Sequence, residues 1–124
     1  MKYNGDKGEY ETLKHLYREV NWQLKAQKDM SVTQEMPNGH RPNSVVDKVK
    51  DNIHIQRRYF GRTGKPRLDI DLTDHGNPKQ HPIVHRYHGW RESQNGKMDR
   101  ETEHDKQPEL WHIIANKDIL KEVD

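Results

Sequence analysis

The sequence contains no cysteine and little apolar material. Without cysteine the chain can form neither disulfide bonds nor thiolate metal sites, and no redox compartment can be inferred. Hydrophobic residues make up 29% of the 124 residues and charged residues 34%, and the mean hydropathy is −1.36. We therefore expect one domain over residues 1–124, with a small core.

Long hydrophobic runs are also missing. No segment is apolar enough over about 20 residues to span a membrane, and the N-terminal residues MKYNGDKGEY lack the hydrophobic core of a signal peptide. We expect no membrane partner and a cytoplasmic location. The 22 basic and 20 acidic residues give a net charge of only +2. A charge this small does not indicate that the whole molecule attracts polyanions, although it allows a local basic patch.

Apolar residues recur at steps of three and four between Glu9 and Lys28. This spacing predicts an amphipathic helix whose apolar face packs on a sheet. Residues 1–8, which precede it, are polar and expected to be flexible. The apolar stripe consists of Tyr10, Leu13, Leu16, Tyr17, Val20 and Leu24.

The clearest strand signal is a hairpin. Residues 53–60 and 67–73 alternate between apolar and polar side chains, and they flank a turn that contains Thr63 and Gly64. A two-residue turn at that point sends apolar side chains to one face and polar side chains to the other. The expected cross-strand pairs are Ile55 with Leu72, Gln56 with Asp71, Arg57 with Ile70, Arg58 with Asp69, and Tyr59 with Leu68.

The segments around this hairpin carry weaker signals. Residues 29–43 are loop-like, and residues 44–50 favour either a short helix opened by Ser44 or the lead into the next strand. A third strand is expected at about 83–88. Residues 91–107 contain almost no apolar side chains and predict a long flexible loop.

The C-terminal residues regain apolar content. They predict a fourth strand at about 110–115 with a short helix after Asn116, or alternatively a single terminal helix. Together these elements predict an α+β fold, in which the N-terminal amphipathic helix packs on a three- to four-stranded antiparallel sheet. The expected contacts join Leu13, Leu16, Val20 and Leu24 of the helix to Ile55, Leu68, Ile70 and Leu72 of the sheet.

Histidines and aspartates cluster in and after the hairpin. Metal-free cleavage of RNA needs a base for the ribose 2′-hydroxyl, an acid for the leaving 5′ oxygen, and cations beside the phosphate. Histidine suits the first two functions because it titrates near neutral pH, and an aspartate such as Asp71 or Asp69 can orient an imidazole. The candidate catalytic residues are His75, His81, His85, His88 and Asp71, and the candidate phosphate-binding residues are Arg58, Lys65, Lys79 and Arg86.

Two other interpretations of this cluster remain open. His81, His85 and His88 with a nearby aspartate can bind a transition metal, although an i, i+4 pair converges on one ion in a helix and Pro82 argues against a helix. We therefore expect no cofactor. Alternatively, these residues only form turns and hydrogen bonds, and Arg58 with Asp69 is a surface ion pair worth roughly 0–1 kcal/mol.

Residues 57–90 resemble the C-terminal effector domains of bacterial polymorphic toxins and related small prophage proteins. The shared features are an aromatic residue before a glycine-containing turn, an Asp-Ile-Asp strand, an Asp-His-Gly-Asn-Pro loop, and a histidine-rich strand that ends near a tryptophan. Many such effectors are ribonucleases of the barnase–EndoU–colicin–RelE group, with one or two helices before a four-stranded antiparallel sheet. The sequence departs from the family in lacking the complete catalytic signature of a named subfamily, and it starts with its own methionine without a long delivery region.

Two functions follow from these patterns. The resemblance and the histidine cluster predict a small endoribonuclease of toxin type, with RNA as substrate and an immunity or host protein as a further partner. The alternative is a phage or mobile-element accessory protein that binds a host or virion protein without chemistry. The high charge and the small core suit that alternative.

Overall fold

The structure is a computed structural model that describes residues 7–72, 86–101 and 110–120, with side chains described from residue 11 onward. Three helices and six strands lie within these ranges. In chain order they are α1 (Lys7–Ala26), β1 (Met30–Thr33), β2 (Ser44–Lys50), β3 (Ile53–Phe60), β4 (Pro66–Asp71), β5 (Arg86–Glu92), β6 (Met98–Arg100), α2 (Leu110–Ala115) and α3 (Lys117–Leu120).

The six strands form one sheet in the order of the chain, from β1 to β6. Only β1 and β2 run parallel, and the other neighbours are antiparallel. The α+β class and the N-terminal helix are confirmed, whereas three to four strands is too few for the described sheet. The two additional strands, β1 and β6, lie at the edges and have four and three residues, and such short segments give little periodicity to detect.

The register of the central hairpin is confirmed. β3 and β4 pair Gln56 with Asp71, Arg57 with Ile70, Arg58 with Asp69, and Tyr59 with Leu68. The turn differs from the prediction, because the register shifts after Tyr59 and the Gly61 N–H donates to the Lys65 carbonyl at 2.8 Å. Three residues, 62–64, therefore lie between the last hydrogen-bonded pair instead of two, and the predicted two-residue turn is wrong.

The hydrophobic core lies between the helices and one face of the sheet. Ala26 of α1 and Leu120 of α3 cover that face, with Trp22 packed beside them. The predicted contact of α1 with the sheet is wrong for Leu24, which is 45% exposed. Tyr17, part of the predicted apolar stripe, is 72% exposed. The sheet side of this core comprises Val45, Tyr59, Leu68, Ile70 and Leu72.

Residues 44–50 form a strand rather than a helix, as one of the two interpretations expected. The third predicted strand appears as β5 and extends to Glu92, four residues beyond the expected end. The predicted fourth strand at 110–115 is wrong, since these residues form α2, and the short helix after Asn116 is confirmed as α3. None of the helices that the structure describes is long and apolar enough to cross a membrane.

The predicted loop over 91–107 is wrong for its described part. Residues 91 and 92 belong to β5, residues 98–100 form β6, and the Ser93 N–H donates to the Lys97 carbonyl at 2.8 Å to close a hairpin. Backbone pairing suffices to form this hairpin, so the segment needs few apolar side chains. Residues 102–107 and 1–6 lie outside the described residues.

Candidate active site

Strand alternation collects charged side chains on the sheet face opposite the hydrophobic core. The register sets Arg58 beside Asp69, Asp69 beside His88, and Asp71 beside Arg86. β6 extends this arrangement, with Arg100 opposite Trp90. We call this surface the polar face, defined as Gln56, Arg58, Asp69, Asp71, Arg86, His88, Trp90 and Arg100.

Arg58 and Asp69 form a buried, two-pronged ion pair on the polar face. The Nε and Nη2 groups of Arg58 donate to the two carboxylate oxygens of Asp69 at 2.7 and 3.0 Å. The Nη1 group donates to the Pro37 carbonyl at 3.0 Å, and the guanidinium carbon lies 4.8 Å from the ring centre of Trp90. Asp69 is fully buried and Arg58 nearly so, so this is not the surface ion pair that the sequence allowed.

Asp71 is the second carboxylate of the polar face, and four side chains converge on it. Gln56 Nε2 donates to Oδ1 at 3.0 Å, and Arg100 Nη2 donates to Oδ2 at 2.5 Å. His88 Nε2 and Arg86 Nη2 lie 3.1 and 3.5 Å from the same Oδ2. Burial alone would raise the pKa of Asp71, but the contact with His88 and the charge of Arg100 outweigh it and hold that pKa well below its ordinary value.

His88 is held from both sides of its ring. Its Nδ1 lies 3.0 Å from the Glu101 carbonyl oxygen, and its Nε2 lies 3.1 Å from Asp71 Oδ2. Both neighbouring oxygen atoms can only accept hydrogen bonds. Among the described residues, no acceptor lies in line with the Nε2 N–H, although Asp71 is near. A proton at Nε2 is therefore close to the Asp71 carboxylate without forming an aligned hydrogen bond to it.

Positive groups outnumber negative groups among the described residues of the polar face. The three guanidinium groups of Arg58, Arg86 and Arg100 face the two carboxylates of Asp69 and Asp71, and these five groups have a formal charge of +1. Positive charge in a region of low dielectric attracts an anion more strongly than the same charge in water. Arg58, Arg86 and His88 are buried, whereas the Arg100 side chain is 32% exposed and is where an anion can reach the face.

Three candidate histidines and one candidate lysine, His75, His81, His85 and Lys79, lie outside the described residues. Asp71, Arg58, Arg86 and His88 come together on the polar face as described above. Lys65 does not join them, because it lies in the turn between β3 and β4 and pairs with Glu92. The Lys65 side chain is 45% exposed.

Two residues of this site escaped the sequence analysis. Arg100, which binds Asp71, and Glu101, whose carbonyl contacts His88, both lie in the segment predicted to be a loop. A signal was present in that segment, because Asn95 and Gly96 form the strongest short hairpin motif. Gly96 indeed has a positive φ of 84°.

A second buried network lies on the core side of the sheet. Arg57, which is 1% exposed, donates to both oxygens of Asp47 at 2.7 and 2.9 Å and to both oxygens of Asp118 at 3.0 and 2.7 Å. Burial would lower the pKa of Arg57, but the bonds to Asp47 and Asp118 outweigh it and raise that pKa. His54 Nδ1 also contacts Asp47 Oδ2 at 2.9 Å. This network links β2 and β3 to α3.

The metal interpretation finds no support in the part of the chain that the structure describes. Within it, no group of three or more histidine, aspartate and glutamate side chains is arranged to hold a metal ion. His81 and His85, which the interpretation requires, are not among these residues.

Comparisons with protein-family models, with curated proteins and with solved structures found no significant match. The site itself therefore carries the functional argument.

Proposed function

We propose that this chain is a small, metal-independent endoribonuclease of bacterial toxin type, and that the polar face is its active site. The observation that carries the proposal is the environment of His88, whose Nε2 lies beside the buried carboxylate of Asp71, which also contacts the guanidinium groups of Arg86 and Arg100. An acid or base catalyst, a group that orients it and cations for phosphate are the components that RNA cleavage requires.

In the proposed reaction, His88 is the general acid. The contact of Nδ1 with the Glu101 carbonyl fixes the ring, and the Asp71 carboxylate lies 3.1 Å from Nε2. The ribose 2′ oxygen attacks phosphorus as its proton passes to a base. The bond from phosphorus to the 5′ oxygen then breaks, and that oxygen takes the Nε2 proton of His88. The products are a 2′,3′-cyclic phosphate and a 5′-hydroxyl.

The base in this scheme is a second histidine, either His75, His81 or His85. Two imidazoles are needed because one proton must be accepted while another is donated. Single replacement of each of these three residues by alanine identifies the base. At that position the rate of RNA cleavage is expected to fall as far as it does for His88→Ala.

The arginines divide into two functions in this proposal. Arg58 is fully engaged by Asp69 and the Pro37 carbonyl, so it positions the strands rather than binding substrate. Arg86 and Arg100 lie beside His88 and supply positive charge to the phosphate as charge develops on it. The lysines Lys65 and Lys79 bind flanking phosphates of the RNA, where solvent-exposed charge is sufficient.

A function as a toxin also implies where the protein acts and which protein binds it. The enzyme acts on RNA in the cytoplasm of a bacterial cell, and an immunity protein or another host protein binds it to block cleavage. Induced expression in bacteria without an inhibitor is expected to arrest growth and degrade RNA. An inhibitor protein supplied in the same cells restores growth.

Purified protein incubated with total RNA and EDTA tests the enzymatic proposal. Wild-type protein is expected to cleave RNA under these conditions, and His88→Ala is expected to abolish cleavage. His54→Ala is the matched control, since His54 also contacts a buried aspartate but lies on the core side of the sheet. Intact RNA from folded wild-type protein, or equal cleavage by His88→Ala, would refute the proposal.

A non-enzymatic accessory protein is the second candidate. Large apolar side chains are exposed at Tyr17, Val32 and Leu110, at 72%, 60% and 69%, and exposed apolar surface often marks a protein-binding site. In that case single histidine replacements leave function intact. Replacement of Tyr17 and Leu110 by serine would instead remove binding to a host or virion protein in a pull-down.

A further inference from the structure

The solvent-facing side of α1 carries a row of basic side chains beside a row of apolar ones. Arg18 and Lys25 are seven residues apart in the sequence and therefore lie on one side of the helix, and Tyr17 and Leu24 form the parallel row beside them. Lys28, two positions past the end of α1, adds a third cation. We call this surface the basic helix face, defined as the exposed residues Tyr17, Arg18, Asn21, Leu24, Lys25 and Lys28.

The three cations of the basic helix face have no carboxylate partner within the described ranges. The acidic residues next to them in the sequence are engaged elsewhere. Glu19 accepts a hydrogen bond from Arg67 at 2.7 Å, and both carboxylate oxygens of Asp29 accept from Arg41 at 2.8 and 2.6 Å. The positive charge of this surface is therefore open to solvent and is not neutralised by its neighbours.

The spacing of these charges fits a chain of phosphates better than a single anion. At a rise of about 1.5 Å per residue, Arg18 and Lys25 lie roughly 10 Å apart along the helix axis, which suits separate phosphates. Lys28 lengthens the charged row beyond the end of α1. Exposed lysine and arginine side chains bind nucleic acids by neutralising phosphates and releasing their counterions.

Tyr17 adds an aromatic ring to this charged surface. It is 72% exposed, and its side chain has no ring contact or hydrogen bond with the rest of the described chain. An exposed aromatic ring beside a row of cations is typical of surfaces that bind single strands, because unpaired bases can stack on it. A base in a duplex is already stacked and paired, so it gains little from such a ring.

A lipid surface fits the basic helix face less well. A helix that lies on a membrane inserts a broad apolar face between the lipids. The apolar side of α1 is instead packed on the sheet through Trp22 and Ala26. Only Tyr17 and Leu24 remain as exposed apolar side chains on the solvent side of the described part of α1.

We propose that the basic helix face binds single-stranded RNA. Successive phosphates contact Arg18, Lys25 and Lys28, and one unpaired base stacks on Tyr17. Because α1 packs on the core side of the sheet, this surface lies across the sheet from the polar face and is a second place at which the protein holds RNA. The basic helix face does not distinguish the sugars, so the choice of RNA over DNA rests on the proposed ribonuclease function.

Fluorescence anisotropy of the full chain with a labelled single strand of about 12 nucleotides measures this binding. The riboses carry 2′-O-methyl groups, which block attack by the 2′ oxygen. Binding is therefore measured even if the protein cleaves no RNA, and the two proposals can fail separately. Three phosphate contacts of about −0.7 each predict a slope of about −2 for the logarithm of the binding constant against the logarithm of the salt concentration.

Two double variants locate the phosphate contacts. Arg18→Gln combined with Lys25→Gln is expected to weaken binding at least about tenfold at low salt and to reduce the slope to about −0.7. Lys50→Gln combined with Lys97→Gln removes the same charge from exposed positions at turns of the sheet. This control is expected to leave the affinity and the slope unchanged.

Replacements of Tyr17 test the stacking contact. Tyr17→Ala is expected to weaken binding of the single strand about tenfold, whereas Tyr17→Phe keeps the ring and leaves the affinity unchanged. Binding of the same RNA annealed to its complement should not respond to Tyr17→Ala, because the paired bases are not available to the ring.

Three results would overturn the inference. The first is the absence of saturable binding of the single strand, or an equal loss of affinity in the two double variants. The second is an equal effect of Tyr17→Ala on the single strand and the duplex. The third is sedimentation of the protein with phosphatidylserine vesicles, lost in the variant of Arg18 and Lys25, without binding of RNA, which would assign the surface to a membrane instead.

Discussion

Buried charge is the dominant feature of individual residues in this protein. Asp47 and Asp69 are fully buried, and Arg57 and Asp71 are 1% and 3% exposed. A charge away from water is tolerated only with a close partner of opposite sign and with its hydrogen bonds made. Each of these four groups meets that condition, so the removal of one partner leaves a destabilising uncompensated charge.

Asp71→Asn tests this principle on the polar face. The change leaves Arg86, Arg100 and His88 without their shared carboxylate, and the expected loss of unfolding free energy is about 3–5 kcal/mol at pH 7. Urea denaturation followed by circular dichroism measures it. The control is Asp99→Asn, an exposed aspartate in β6, with an expected change within about 0.5 kcal/mol.

The same aspartate predicts a dependence on acid pH. The pKa of Asp71 is lowered in the folded protein, so its stabilisation is fully present above the unfolded pKa of about 3.9 and is lost as pH falls through the folded pKa. The difference in stability between wild type and Asp71→Asn should therefore shrink as pH falls below about 4. A difference that stays constant down to about pH 2 would contradict the assignment.

Gly64 is a residue at which backbone geometry permits only glycine. Its φ is +81°, and a Cβ atom there would lie 2.5 Å from the His40 carbonyl oxygen. Gly96 has a similar φ of +84° but nothing within 4 Å of a Cβ. Gly96→Ala is expected to cost about 1–2 kcal/mol from backbone strain alone. Gly64→Ala should lower the free energy of unfolding by about 3 kcal/mol or more, because the clash adds to this strain. Equal losses of stability for the two variants in thermal denaturation would refute the explanation.

At the scale of elements, Tyr59 joins a strand to two helices. Its hydroxyl donates to Asn116, which lies between α2 and α3, and accepts from Gln27 Nε2 at 2.8 Å. Burial raises the pKa of Tyr59 to about 12. Its stabilisation is therefore complete below the unfolded pKa of about 10 and is lost as pH rises through about 12, a difference of about 3 kcal/mol.

Tyr59→Phe measures this contribution. The stability of wild type relative to the variant should fall between about pH 10 and pH 12, because only wild type carries the buried hydroxyl. Tyr17→Phe serves as the control, since Tyr17 is 72% exposed and its replacement should leave the alkaline profile unchanged. A parallel decline of wild type and Tyr59→Phe would contradict the assignment.

How well each helix or strand could be predicted depends on the length of its periodic pattern of apolar residues. α1 and the hairpin of β3 and β4 carry long periodic patterns, so their type and register could be derived from the sequence. β1 and β6 are too short for periodicity, and the apolar run of α2 fits a strand as well as a helix. Asp71 and His88 lie in strands that the sequence predicted, so both could be proposed for the site, whereas Arg100 lies in a strand too short to predict.

At the scale of the whole molecule, one sheet separates two chemical environments. Its core side packs Ala26, Leu120 and Trp22 against apolar strand residues, and its polar face holds paired charges. With hydrophobic residues at only 29% of the chain, hydrophobic burial is supplemented by buried ion pairs, Arg58 with Asp69 on the polar face and Arg57 with Asp47 on the core side. Such pairs specify one arrangement of the strands, since a shifted register would leave charges without partners.

The most direct test of the account is the chemistry of cleavage on a short RNA of defined sequence, followed by mass spectrometry of the products in EDTA. We predict fragments that end in a 2′,3′-cyclic phosphate and a 5′-hydroxyl, no cleavage at a nucleotide whose 2′-hydroxyl is replaced by hydrogen, and no product with His88→Ala. Cleavage at the 2′-deoxy nucleotide, products with 5′-phosphate ends, or no cleavage by folded wild-type protein would contradict it.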